Sequence, residues 1–303
     1  MNTQSMSELT MSLAGMGACG IGFDSVSHLA AQLAPVLSES TPVTVLAENT
    51  LDSWVVVSAQ AALSAAQKLH PVAVERIGLL YLSTWGSINQ TVGYLESMLA
   101  NDGLYASPRL FTRSVYSAVA SQTSIELGIN GACETLSFAN LPVYRMLQRA
   151  WCLLATGRLD TVITVWADQV EAPAMHLCQR AAAELQQSEL ARYTQPGGGS
   201  VALALSRPEV LPGGLALILD PHIRTITNRS KAPPTGAQAV STRQAHPDPT
   251  RIAPSIPAYP TDGALHLAQA ILRCRDRRDS RAWEEIAAPY HATIRLRAAE
   301  NAQ

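Results

Sequence analysis

Lysine is almost missing from this sequence. Only Lys68 and Lys231 stand among 22 basic residues in 303, so the positive charge is nearly all arginine, scattered rather than blocked. With a formal net charge of -2, the chain lacks the clustered cations that neutralise a phosphate backbone, which excludes nucleic acid as an expected partner. It also lacks any run of the ~18–20 uninterrupted apolar residues that a spanning helix needs. The opening MNTQSMSELTMSLAG has neither a basic n-region nor a long apolar core, and residues 1–11 read as an N-terminal extension. No membrane partner is expected, and a cytoplasmic location is. Cys19, Cys133, Cys152, Cys178 and Cys274 are odd in number, widely spaced, and without a C-x-x-C pair or a companion histidine at ligand spacing. That argues against a disulfide framework and a metal site, and for reduced thiols. No internal repeat of fixed period is visible.

What is present suits one large layered domain: 47% of residues are hydrophobic and 15% charged, enough to bury a sizeable core. From Met11 the sequence predicts a short strand, MSLAG, a glycine-rich turn to Gly22 and a helix over SVSHLAAQLAPVL. A second helix is predicted over about 52–69, then a buried strand GLLYLST ending in a polar turn at Gly86. Helices follow over 89–101 and 115–129, the latter stopped by Gly128 or Asn130, with SPRLFTRS between them as an irregular loop. CETLSFA fits a short strand. Asn140 then opens a long helix, because asparagine is a favoured N-cap, Pro142 is tolerated in the first turn and Gly157 is a natural stop. TVITVWAD reads as a central strand ending at Asp168, and 198–206 and 213–220 as two more strands, open to antiparallel pairing. Residues 231–260 hold seven prolines among Ala, Thr, Gln and Ser, too little apolar area to offset the entropy of ordering, and read as a loose linker. An amphipathic helix over 263–274 and a weakly determined tail close the chain.

Two local patterns carry chemistry. Gly15-Met16-Gly17-Ala18-Cys19-Gly20 satisfies G-x-G-x-x-G, with Glu48 about where a ribose-binding acid would lie. An NAD(P)-dependent oxidoreductase is one reading, and a tight turn that selects glycine for positive φ is the other. Cys133 is a candidate nucleophile with Glu134 beside it as base, or else a small apolar residue at the start of a buried strand. Cys152, inside an apolar helix, reads as core.

The order of GLLYLSTWGS, FTRSVYSAVASQTSIELGINGA, CETLSFANLPVYRMLQRAWCLLATGRLD and TVITVWAD resembles that of the β-ketoacyl synthases. The likeness covers about residues 12–220, with an echo at TDGALHLAQAILRCRD. It implies a thiolase-like, layered α/β/α fold with its N-terminal half intact and its C-terminal half truncated. A ketosynthase-like domain would span 12–230, the linker 231–260, and a residual C-terminal helix and tail 261–303. Laying Gly131 and Gly157 on the family's glycines before and after the active-site helix places Asn140 at the nucleophilic cysteine's position. A thiol at a helix N-terminus is activated by the macrodipole and free N–H groups, and an amide offers no such nucleophile. Asn140 is then an N-cap or a pocket residue. The family's late histidines are missing too: there is no H-G-T-G-T-like sequence, SIPAYPTD fills the place of the G-H motif before Gly263, and His222, His246 and His266 stand in other contexts.

The resemblance therefore implies a non-catalytic, chain-length-factor-like subunit, a pseudoenzyme needing no cofactor or metal. It would form a heterodimer with a cysteine-bearing ketosynthase, meet acyl carrier protein through that complex, and shape the acyl-chain tunnel in type II polyketide synthesis, polyenes included. Tunnel and interface candidates are Phe111, Ser114, Val115, Tyr116, Ala118, Phe138 and Asn140. A methylene forced against a rigid aromatic costs ~1–3 kcal/mol, so Tyr116→Ala is expected to lengthen products. Asp168 matches a family acid that is structural and could cap a neighbouring helix. The alternative in the same family is an active acyl-thioester enzyme, either a malonyl-carrier-protein decarboxylase using Asn140 or an acyltransferase using Cys133.

Overall fold

The computed structural model describes residues 9–21, 50–100, 106–138, 141–172, 175–176, 180, 183, 197–212, 214–220, 224–225, 239–241, 264, 267–272, 274, 281–287 and 290–297. Asn140, Glu48, Cys178, His222, His246, His266, the helix expected after Gly22 and most of 231–260 lie outside them.

The described strands make one ten-stranded sheet: β1 (Leu9–Ile21), β2 (Ile77–Leu82), β3 (Cys133–Leu136), β4 (Thr161–Val170), β5 (Gly197–Ser206), β6 (Leu215–Leu219), β7 (Arg224–Thr225), β8 (Ala239–Ser241), β9 (Arg281–Ala287) and β10 (Tyr290–Arg297). Their order is β3-β2-β4-β5-β1-β6-β10-β9-β8, with β7 on β10. β2 runs parallel to both β3 and β4, whereas β5, β1, β6 and β10 follow one another antiparallel.

Helices α1 (Leu51–Leu69), α2 (Ile88–Leu99), α3 (Pro108–Ser114), α4 (Ala118–Glu126) and α5 (Pro142–Ala155) complete the fold. The apolar runs of β2 and β4 are buried throughout, as strands covered on both faces require. Leu80, Leu82, Val162 and Trp166 pack with α5 and with the helical residues 264 and 267–272. Leu79, Tyr81, Ile163 and Val165 pack with α1 and the start of α4. This is the layered α/β/α arrangement expected from the sequence. In α5 the buried Val143, Met146, Leu147, Ala150 and Leu154 recur at helical spacing, which fixes the face laid on the sheet.

Several expectations need correction. The glycine motif is not a turn: β1 runs straight through it, with a bulge between Leu13 and Gly15. A Cβ at Gly15 would overlap the Ala62 carbonyl and one at Gly17 the Ser58 carbonyl. These glycines let α1 lie close on the strand, and nothing in that geometry forms the strand-to-helix phosphate cradle of a dinucleotide site. Ser58 completes the contact by sharing a 2.6 Å hydrogen bond with Ser200 on β5. β5 and β6 do not pair with each other, because β1 lies between them. SPRLFTRS is helical as α3, with Ser107 accepting the Leu110 N–H and Pro108 in the first turn. Within 231–260, Ala239–Ser241 form a strand parallel to β9. The tail beyond the last helix is not undetermined: β9 and β10 form an antiparallel hairpin, and β10 pairs with β6.

Candidate functional site

Three parallel strands, β3, β2 and β4, end at one edge of the sheet, where α/β folds bind ligands. β4 outlasts β2 there. Trp166 is its last partner, opposite Leu82, so Asp168 stands level with the turn by which β2 leaves the sheet. The fully buried Asp168 carboxylate accepts from the Ser83 hydroxyl at 2.6 Å and from the Thr84 and Trp85 N–H groups at 2.7 and 3.0 Å. A buried carboxylate satisfied by three donors is a structural fastener. It fastens a turn rather than capping a helix. The Ser83 hydroxyl in turn accepts the Gly86 N–H at 2.8 Å.

Gly86 has φ 57°, and the Tyr116 ring occupies the place a Cβ would take. The Tyr116 hydroxyl donates to the Ser83 carbonyl. Burial pushes its pKa up, and a hydrogen bond with the Ser137 side chain works in the opposite sense. Tyr116 is therefore seated on the turn after β2 by its ring and its hydroxyl.

The connection after β3 enters α5 through Leu141, which corrects the expected helix start. The N-cap is Leu141, at φ 51° and ψ 50°, with no side-chain cap bond. A leucine in the left-handed region is strained, by an amount of order 1–3 kcal/mol. Its completely buried side chain and Pro142 in the first turn hold it there. Phe138, on the other side of the undescribed pair 139–140, is partly buried against the same core.

The remaining expected residues separate from this cluster. Phe111 is half exposed and its ring meets Tyr94 at 5.6 Å between centroids; Val115 is also exposed. Ser114 contributes its carbonyl to the Thr91 hydroxyl, and the Ala118 N–H donates to the Val115 carbonyl. Tyr116 alone of that series reaches the strand ends.

Cys133 and Glu134 do not form a nucleophile and base. They are adjacent residues of an edge strand, so their side chains point to opposite faces. Cys133 is exposed rather than buried, at the strand's first position. Desolvation of its thiol raises the pKa, away from thiolate. Glu134 is held in a two-pronged ion pair by Arg149, at 2.8 and 2.6 Å. Cys152 is partly buried on α5. What sequence reasoning missed is the seating of Tyr116 on Ser83 and Gly86, contacts with no local pattern.

A family model described as the β-ketoacyl synthase N-terminal domain matches residues 56–213, from inside α1 to beyond β5. The chain belongs to the β-ketoacyl synthase family. The fold is shared with solved structures at low identity. The ishigamide ketosynthase/chain length factor matches with TM-score 0.66 and 14% identity, over 96% of this chain and 100% of that one. The Xenorhabdus doucetiae ketosynthase ApeO in complex with its chain length factor ApeC gives 0.54 and 14%, over 94% and 98%. AntDE:AntF, an acyl carrier protein in complex with its type II polyketide ketosynthase, gives 0.62 and 11%, over 95% and 99%. No curated protein sequence matches. Among the described residues of this ketosynthase-family chain, no helix is long and apolar enough to cross a membrane.

Proposed function

We propose that this member of the β-ketoacyl synthase family is a non-catalytic, chain-length-factor-like subunit. It pairs with a cysteine-bearing ketosynthase, meets acyl carrier protein through that pair, and shapes the tunnel that holds the growing chain. The observation that carries this reading is the entry to α5: the sequence places Asn140, an amide, where the family's nucleophile belongs. Cys133, the alternative thiol, sits on an edge strand with its pKa raised and its neighbouring acid engaged by Arg149. The exposed Leu95, Leu99, Phe111 and Val115 of the α2–α3 region support a partner surface there. Phe111 and Val115, not the packed Tyr116, are then the side chains whose bulk faces partner or acyl chain.

The test is reconstitution with a ketosynthase, acyl carrier protein and malonyl extender. The pair should co-purify and elongate, this chain alone should not, and Phe111→Ala should lengthen the products of the pair. Elongation by this chain alone that Cys133→Ala abolishes would overturn the reading. Carbon dioxide loss from malonyl-carrier protein that Asn140→Ala abolishes would favour the decarboxylase instead.

A further inference from the structure

We propose that α2 and α3 form a docking arm, clasped at its base by Tyr116, whose packing is completed on an apolar face of a partner protein. That this partner is a ketosynthase rests on the functional reading given above. The arm and its clasp rest on geometry.

The chain leaves the core at Ser87 and returns to it at Val119. Ser83, Gly86 and Ser87 are buried, as are Val119, Ala120 and Thr123, yet neither α2 nor α3 contains a buried residue. The element that α2 packs on most is α3. The Thr91 hydroxyl donates to the Ser114 carbonyl at 3.3 Å, and the Tyr94 and Phe111 rings lie 5.6 Å apart between centroids. Helices of 12 and 7 residues are too short to stand on their own hydrogen bonds, so something else must hold them.

Part of that support is at the base. Ser83 and Tyr116 are 33 residues apart in the chain, and the Tyr116 hydroxyl donates to the Ser83 carbonyl while its ring fills the space left by the absent Cβ of Gly86. Asp168 holds the receiving turn through the Ser83 hydroxyl and the Thr84 and Trp85 N–H groups. The clasp fixes where the arm begins and ends, and it covers neither helix.

The rest of the support is missing from this chain. Leu95 and Leu99 are four residues apart, as are Phe111 and Val115 at the end of α3, so each pair lies along one side of its helix. All four are exposed, and the contact of Tyr94 with Phe111 sets the two pairs on neighbouring parts of one surface. Charge selects the occupant. Glu96 is the one charged residue of α2, and Arg109 and Arg113, each two residues from Phe111, fall on the opposite side of α3. An anionic lipid surface or an acidic protein would need cations within the apolar stripe, whereas an apolar protein face needs none.

Hydrogen exchange on the full chain tests the clasp. Residues 88–99 and 107–115 should exchange about tenfold or more faster than β2 and β4, while keeping measurable protection. Tyr116→Phe keeps the ring over Gly86 and removes the hydroxyl, so both helices should exchange roughly tenfold faster with β2 and β4 unchanged. Wild-type rates in Tyr116→Phe, no protection to lose, or loosening of one helix alone overturns the clasp. Pairing with a ketosynthase tests the docking. It should slow exchange of both helices, and Leu99→Glu, with an unaltered melting temperature, should weaken pairing about tenfold or more. A pair that forms at full strength with Leu99→Glu and leaves the arm's exchange unchanged overturns the docking arm and spares the functional reading. A chain that pairs with no ketosynthase, but self-associates in a way that Leu99→Glu abolishes, upholds the arm and overturns that reading. Association of neither kind overturns both.

Discussion

At Gly15 and Gly17 the absent Cβ leaves room for the backbone of α1, and Gly17→Ala forces strand and helix apart. It should lower stability by about 2–3 kcal/mol, read as a lower urea midpoint. The G-x-G-x-x-G pattern was legible, but its meaning was not: a glycine required by a turn and one required by a close contact look alike in a sequence. Asp168→Asn removes the charge from three short hydrogen bonds and should cost about 2 kcal/mol. Asp160 behaves differently, being near the surface. The Arg76 side chain, hydrogen-bonded to it, and then Arg207 lower its pKa to about 2. A carboxyl depressed in the folded state stabilises fully above its ordinary value of 3.8 and loses that contribution as pH falls towards about 2. The wild-type melting temperature should therefore converge on that of Asp160→Asn as pH drops from about 5 to 2.

Among elements, those with dense periodic signals were legible. α1 begins at the Thr50 capping box, β2 and β4 are apolar runs of strand length, and α5 repeats its apolar residues at helical spacing. α3 was missed although its signal was present: serine before proline is an N-cap before a first helical residue. Ser107→Ala should cost about 0.5–1 kcal/mol and reduce protection of 108–114 in hydrogen exchange. β10 was also readable in retrospect, since Ala292, Ile294 and Leu296 are buried and Arg295 and Arg297 exposed. Its arginines hid the alternation. The start of α5 was not legible, because a left-handed leucine is imposed by burial from distant elements and not by propensity. Leu141→Ala keeps the strained backbone and loses its anchor, so it should destabilise by about 3 kcal/mol, measured by chemical denaturation.

At the scale of the molecule, the sheet unites parts of the sequence that composition had set apart. β10 covers the edge of β6, and the hairpin with β9 carries the sheet outward. A chain stopped after residue 280 would leave β6 with an open edge and should appear in the insoluble fraction on expression. The layered class was foreseeable from alternating helical and strand patterns, whereas strand order was not, because neighbours in the sheet are remote in the chain. β1 shows the consequence. Ser12 pairs with Ser206 on one side and Ala216 on the other, so this central strand is made well before either of its partners. A ribosome adding ~5–20 residues per second keeps it waiting for roughly 10–40 s while its partners are synthesised. During translation, β1 is thus an unpaired apolar segment that a nascent-chain chaperone would meet before the rest of the sheet does.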